Sequence, residues 1–514
     1  MATAKNDPLF DLIKSLSKTE KRHFRLFVGK SGNTDELKFL KLFDAMESMK
    51  SYDDQIILKK VPAIKKIQFS NQKANLYKQI LASLRQYHIG QNPDMQIREL
   101  LDHAKVLYNK GFYKQALKIL DKAKTLASYN QQYAIKLEVL EFEKLIESQY
   151  ITRSIENRAE QLGEEVKNTT SALESSHILS NLTLNLYSLY LKNGYARTEE
   201  EFDDVKNYFN KELPQINLEN LSFQEKLHYH QAHVWYHKII QSFPNVYKHA
   251  LAWVNLFKEN KEMAKLQNVH FIKGYANLLD ALFQLQFYTR FCEVLEEVEE
   301  LKNNKLIVND LNTNILVFKF LYISKINRHF MEGSFKEATG IIPIIEDELI
   351  HFKGQIDPER ILMFYYKFAS IYFGAADYRK CIFYLNKIIY FKDVKLREDI
   401  HCFARILNLM AHFEDGQDYQ IDYQIKSTFQ FIGKMNDQQQ VQKEIFNFLR
   451  KSGKITPDEL KGEFTSLYDR LAKLYENQYE RRPFLYLDIL SYLKARIENR
   501  PVDEVVKEKF RSLK

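Results

Sequence analysis

Cysteine is scarce. The three in 514 residues, Cys292, Cys381 and Cys402, lie far apart and form no C-x-x-C pair. A disulfide framework is therefore not expected, and a reducing compartment is. Glycine (15) and proline (10) are also below average usage. Their shortage argues against loop-rich folds and fits long helices with few turns. Long apolar runs are missing too. The longest stretch without Asp, Glu, Lys or Arg runs from Ser175 to Leu191, and it carries Ser, Asn, Thr and His throughout. Leu179, Leu182, Leu186 and Leu189 line one side of it, so it reads as amphipathic and not as a transmembrane helix. The opening MATAKNDPLF lacks the basic region and apolar run of a signal peptide. These absences lead to the expectation of a cytoplasmic protein with no membrane insertion.

What is present supports a sizeable core. Hydrophobic residues make up 45% of the chain, which argues against wholesale disorder. The net charge of +8 is unevenly placed: residues 1–90 hold 17 Lys and Arg against 9 Asp and Glu, and the remainder is balanced. Such asymmetry hints at an anionic partner for the first segment.

Helical patterning dominates. In Leu100 to Ala127, the residues Leu100, Ala104, Leu107 and Tyr108 share one helical face, and Tyr113, Ala116, Leu117, Leu120 and Ala123 share another. Gly111 suits the left-handed conformation that ends a helix. An aromatic-x-x-small step opens the second helix here and recurs at Phe202/Val205, Tyr247/Ala250, Tyr288/Phe291, Phe335/Ala338 and Tyr378/Cys381, with looser candidates near Ile155 and Ile421. From Val205 onward the steps are 45, 41, 47 and 43 residues. A lone two-helix hairpin cannot bury enough apolar surface to offset its ordering, so each unit must share its faces with neighbours.

The order large residue, small residue, aromatic, Gly turn, aromatic-x-x-small resembles the tetratricopeptide repeat (TPR). Leu100, Ala104, Leu107, Ala116, Leu120 and Ala123 fall where that family places its packing residues, with Leu100 in place of the usual Trp. The spacing exceeds the roughly 34 residues of the standard repeat and overlaps the HEAT range. The alike turns Gly111-Phe112-Tyr113 and Gly333-Ser334-Phe335 favour the TPR-like reading. The resemblance implies an α-α superhelix with a groove that holds peptides or partner helices. It implies groove-facing positions at Arg98, Asp102, Lys105, Tyr108 and Asn109, and at Tyr366, Lys367, Ser370 and Phe373 in the Tyr365 to Ile388 unit.

Three segments are expected. Residues 1–92 form a basic helical module, 93–452 the repeats, and 453–514 a helical cap. In the first, Ser17-Lys18-Thr19-Glu20 is a capping-box pattern, Pro62 breaks a short piece around Ile56 and Ile57, and Ser70 is the expected cap of the last helix. Thr456-Pro457 opens a helix in the third. Lys18, Lys21, Arg22 and Arg25 recur along one helix of the basic module; Lys59, Lys60, Lys65 and Lys66 flank Pro62; Lys78 and Arg85 align on the last helix. Together they are the candidate polyanion-binding set. About eight residues separate Val61 from Ser70, too many for a helix-turn-helix.

Catalytic constellations are not found. Gly29-Lys30-Ser31 looks like the end of a phosphate-binding loop, but Phe24 stands where the first glycine belongs. The acidic run Glu296, Glu297, Glu299 and Glu300 alternates with apolar residues as a solvated helix face does. His230, His233 and His237 share a helical face at metal-ligand spacing, with no Cys or carboxylate on the same turn to complete a set. No metal or other cofactor is expected, and these three histidines are the candidates should one bind. The expected function is a non-enzymatic scaffold that binds a protein or peptide segment through the groove. The alternative is a nucleic-acid-associated regulator using residues 1–92, with the repeats as sensor.

Overall fold

Side-chain caps set many helix starts. Asp7 accepts hydrogen bonds from the amides of Leu9 and Phe10 at 3.1 Å each, and Ser17 and Glu20 form the full reciprocal box. Asn92 caps a helix with Pro93 at its first position. Reciprocal boxes recur at Ser222/Glu225 and Asp310/Thr313. Each satisfies amides that no helical carbonyl can reach.

The computed structural model describes all residues except 1–6, 30–33, 150–156, 216–220, 353, 392–397, 417–423, 426, 429, 432–439, 453–456, 481–483, 485–487 and 514. Among the described residues the fold is all-α, with no strand. Residues 1–174 and 175–514 form two compact units.

The first unit holds α1 (Pro8–Ser15), α2 (Lys18–Val28), α3 (Thr34–Glu47), α4 (Asp54–Lys60), α5 (Lys66–His88), α6 (Pro93–Asn109), α7 (Tyr113–Tyr129) and α8 (Tyr133–Gln149), then enters α9 (Arg158–Asn193). Residues from Leu9 to Ile80 share one core, centred on Phe24, Phe43 and Met46. Those from Ile97 to Ile146 share a second. Ser70 is not a cap. α5 opens a turn earlier, at Lys66, because Ile64 and Phe69 are both drawn into the core. In α6 the fully packed positions are Ile97, Leu101 and Ala104, with Leu100, Leu107 and Tyr108 only partly buried beside them. Ala104 and Ala116 are both fully buried in this core.

The second unit continues through α10 (Glu199–Glu212), α11 (Phe223–Ile239), α12 (Phe243–Glu259), α13 (Lys261–Leu266), α14 (Asn268–Gln284), α15 (Tyr288–Asn303), α16 (Leu311–Glu332), α17 (Phe335–Ala338), α18 (Ile342–His351), α19 (Pro358–Gly374) and α20 (Tyr378–Ile389). It ends with α21 (Glu398–Glu414), α22 (Gln440–Ser452), α23 (Pro457–Glu476), α24 (Ile489–Glu498) and α25 (Val502–Leu513). Its cores overlap along the chain. α11 gives Ala232, Tyr236 and Ile239 to one and Phe223, Leu227 and Val234 to the next. α16 gives Leu316, Val317 and Leu321 to that core and Ile315, Phe318 and Tyr322 to a third. A helix buried on two sides cannot show one clean apolar stripe, which explains the blurred periodicity of these segments.

One turn recurs. Gly111, Gln131, Gln241, Gln286, Gly333 and Ala376 all have positive φ, from 53° to 78°. Each lies two residues before the start of a helix: α7, α8, α12, α15, α17 and α20. In each the following amide bonds back five residues: Phe112 to Leu107, Gln132 to Ala127, Ser242 to His237, Phe287 to Leu282, Ser334 to His329 and Asp377 to Tyr372, at 2.8–3.1 Å. This is the Schellman closure of a helix C-terminus. The aromatic-x-x-small steps lie in the helices after five of these turns and in α10; Ala116, Ala250, Phe291, Ala338 and Cys381 are fully buried, and Val205 partly. The candidates at Ile155 and Ile421, and Thr456, lie outside the described residues.

α25 folds back onto the Gly333 turn. A Cβ added at Gly333 would sit 2.9 Å from the Asp503 carbonyl oxygen and 3.0 Å from the Lys507 nitrogen. Gly374 is equally tight, 2.5 Å from the Phe335 ring. No helix among the described residues is long and apolar enough to cross a membrane.

Candidate functional site

The basic residues of the first segment divide by partner. Lys21 pairs with Glu47 at 3.2 Å, and Arg25 pairs with both Asp44 and Glu47. Arg85 meets Asp102 at 3.4 Å, and Lys60 donates to Ser48 Oγ at 2.9 Å. Lys18, Arg22, Lys59, Lys65, Lys66 and Lys78 stand exposed. They come from α2, α4, α5 and the turn before α5. Lys30 lies outside the described residues.

Of the positions implied by the resemblance, those on α6 stay accessible. Arg98, Asp102, Lys105 and Asn109 are exposed, with Arg98 paired to Asp94 at 3.1 Å. Tyr108 is part-buried, its hydroxyl 2.5 Å from Gln149 Oε1 and its ring against Tyr113 and Phe142. On α19 the outcome differs. Tyr366 and Phe373 are core residues, Phe373 packing on Tyr378 and Tyr492. Ser370 donates to the Tyr366 carbonyl of its own helix at 2.9 Å. α19 is apolar on nearly every side, so alignment to a repeat pattern could not separate its groove face from its core faces.

Lys367 leads to a feature that the motifs missed. Polar side chains link α11 to α14 and its cap, and α16 to α19. Gln267 Nε2 donates to Gln224 Oε1 at 2.7 Å, Lys238 pairs with Asp280 at 2.5 Å, and Lys367 donates to Asn327 Oδ1 at 2.7 Å. Cations accumulate along this row. Burial and the Arg360 guanidinium push the ammonium groups of Lys273 and Lys319 below the usual lysine range. Burial takes Lys367 down to about 8, with Asp280 opposing. Burial would lower Lys238 as well, but Asp280 and Tyr190 outweigh it and hold it high. Five cations (Lys238, Lys273, Lys319, Arg360 and Lys367) thus share a field with Asp280 and Asp357. One signal was legible: Lys273, Lys319 and Lys367 are 46 and 48 residues apart, close to the repeat spacing.

The histidines of α11 and of the helices beside it split into two environments. His228 and His270 are satisfied by glutamines: Gln224 Nε2 lies 3.0 Å from His228 Nε2, and Gln231 bridges His228 Nδ1 (3.2 Å) and His270 Nδ1 (2.9 Å). Around His233 that support is lacking. Both ring nitrogens of His233 and Nδ1 of His237 are buried with no hydrogen-bond partner. His249 of α12 joins them, its ring stacked on His233 at 4.2 Å between centroids and 3° between planes. One ring nitrogen from each of His233, His237 and His249 lies within 4.8 Å of the others. His230 stands beside this group, with its Nδ1 3.1 Å from His249 Nδ1. Burial and the neighbouring imidazoles push His233 down to about 2 and His249 to about 3. Burial and Lys248 take His237 to about 4, and burial with Lys226 does the same for His230. His249 was missed because it lies on the second helix of the hairpin. The mirror relation about Gln241, eight residues either side, would have found it.

Comparison with protein-family models, with curated proteins and with solved structures finds no match.

Proposed function

We propose that the chain is a non-enzymatic interaction scaffold, a TPR-like array of helical hairpins whose inner face in residues 175–514 holds an acidic partner segment. The six alike turns and the cores shared through α11 and α16 support the repeat reading. The observation that carries the ligand class is the row of Lys238, Lys273, Lys319, Arg360 and Lys367 on α11, α14, α16 and α19. Crowded ammonium groups repel one another, and a carboxylate-rich segment relieves that repulsion while replacing their lost hydration.

The test uses the full chain and labelled peptides of equal length, one rich in Glu and Asp, one rich in Lys. The acidic peptide should bind and weaken with added salt. The double change Lys273→Glu and Lys319→Glu should reduce its affinity about tenfold or more. Equal binding of both peptides, or an unchanged affinity in the variant, would sink this reading.

A second reading rests on the exposed Lys18, Arg22, Lys59, Lys65, Lys66 and Lys78 within a segment that holds all the net positive charge. It makes residues 1–92 a nucleic-acid contact. Duplex and single-stranded probes titrated against the full chain across salt would show a negative log–log slope that Lys65→Glu with Lys66→Glu makes shallower. A slope unaltered by that pair would remove it.

A further inference from the structure

We propose that His233, His237 and His249 form a binding site for one divalent ion of the zinc class. The argument starts from cost. A buried polar nitrogen without a partner loses its hydration and regains nothing. Three such nitrogens lie together here, on His233 and His237. His228 of α11 and His270 of α14 do not share the defect, since glutamines serve both. The packing thus leaves lone pairs unspent at one place only along α11.

The geometry suits an ion. His233 and His237 are one helical turn apart on α11, and His249 approaches from α12 across the Gln241 turn. Three nitrogens within 4.8 Å need to close by up to about 1.4 Å to reach the roughly 3.4 Å separation set by Zn–N bonds of about 2.1 Å at tetrahedral angles. The stacked rings of His233 and His249 do not aim their lone pairs at one point. Rotation about χ2, a soft torsion, is the motion by which an ion would draw them together. His230, at 3.1 Å from His249 Nδ1, is placed to orient that ring as an outer partner. Phe209 and Tyr229 pack on His233, and Tyr236 on His237, giving the site an apolar wall.

The donor set selects the ion. Three neutral imidazoles suit zinc, copper and nickel, whereas magnesium and calcium require oxygen ligands. The charged side chain facing the group is Lys248, not a carboxylate. Three protein ligands leave a fourth position for water or a partner's side chain.

The experiment takes the full chain stripped with a chelator and titrates it with Zn²⁺ by calorimetry and with Co²⁺ by visible absorption. One ion per chain is expected, with cobalt bands of tetrahedral nitrogen ligation. The double variant His233→Asn, His249→Asn should weaken zinc binding about 100-fold or more, while His351→Asn, an exposed histidine elsewhere, leaves it unchanged. Far-ultraviolet circular dichroism of the metal-free variants checks that they remain helical. A variant-free readout accompanies it: stoichiometric Zn²⁺ should raise the thermal midpoint of the native chain, and Mg²⁺ should not. Absence of stoichiometric zinc binding by the native chain, or zinc binding of equal affinity in the helical double variant, would overturn the proposal.

Discussion

Two clusters of buried charge, one in each unit, are built in opposite ways. In residues 1–174 the charge is matched. Glu143 of α8 is fully buried, and it meets Lys124 of α7 at 3.0 Å and Arg158 of α9. Glu165 backs both cations, at 3.2 and 3.5 Å. Asp7 takes a 2.6 Å bond from Lys73; burial would raise its carboxyl, but the lysine and the Phe10 amide outweigh it and hold it low. In residues 175–514 the row on α11, α14, α16 and α19 carries more cations than acids, and Lys367 has only a neutral amide within bonding distance among the contacts named above. Matched charge fixes helices to one another. Surplus charge of one sign raises the energy of the unliganded protein, which is what a binding face requires and a structural joint does not.

The largest expected effect tests the matched side. Glu143→Ala leaves Lys124 and Arg158 with Glu165 alone, and should cost about 3 kcal/mol in chemical denaturation. A loss below about 1 kcal/mol would mean that the network is only decorative. The Gly333→Ala change should cost about 3 kcal/mol, since it adds a left-handed penalty to a backbone collision with α25. Gly111 has the same φ sign in the other unit with open space around it, so Gly111→Ala should cost only about 1 kcal/mol. Equal losses at the two turns would show that α25 yields easily.

The surplus side is tested by pH. Lys367 titrates at about 8 in the fold and near the ordinary 10.5 unfolded. Between those values the unfolded chain binds more protons, so stability should rise with pH through that window, by on the order of 2 kcal/mol. Below pH 8 the buried charge persists and its cost is fully present. Lys367→Met should flatten this rise relative to the native chain, and parallel pH curves for the two would contradict the assignment. The smallest effect is at Ala376, whose positive φ strains an L-residue. Ala376→Gly should gain about 0.5 kcal/mol or less, the relief of strain being offset by backbone entropy; a clear loss would show that the alanine methyl packs.

Much of the helical frame was legible because its signals are local. The Ser17 box, the Pro62 break and the left-handed Gly111 and Gly333 follow from residue chemistry. Four of the six turns were not legible as such, because Gln131, Gln241, Gln286 and Ala376 carry no glycine signal and are held left-handed by hydrogen bonds to the preceding helix. Site residues fared less well for a related reason. Tyr366 and Phe373 were placed on a groove by alignment, but α19 is packed on nearly all sides. The His233 group needed a partner from the next helix, and only the pairing of α11 with α12 brings His249 to it.

The repeated turn has a consequence for tracing ancestry. A bend that accepts glycine, glutamine or alanine alike keeps its instruction in the hydrogen-bonding pattern and very little in the letters. Chains of this design can drift far apart in spelling while every corner keeps its torsions, so kinship among them is better sought by matching strings of backbone angles than strings of amino acids.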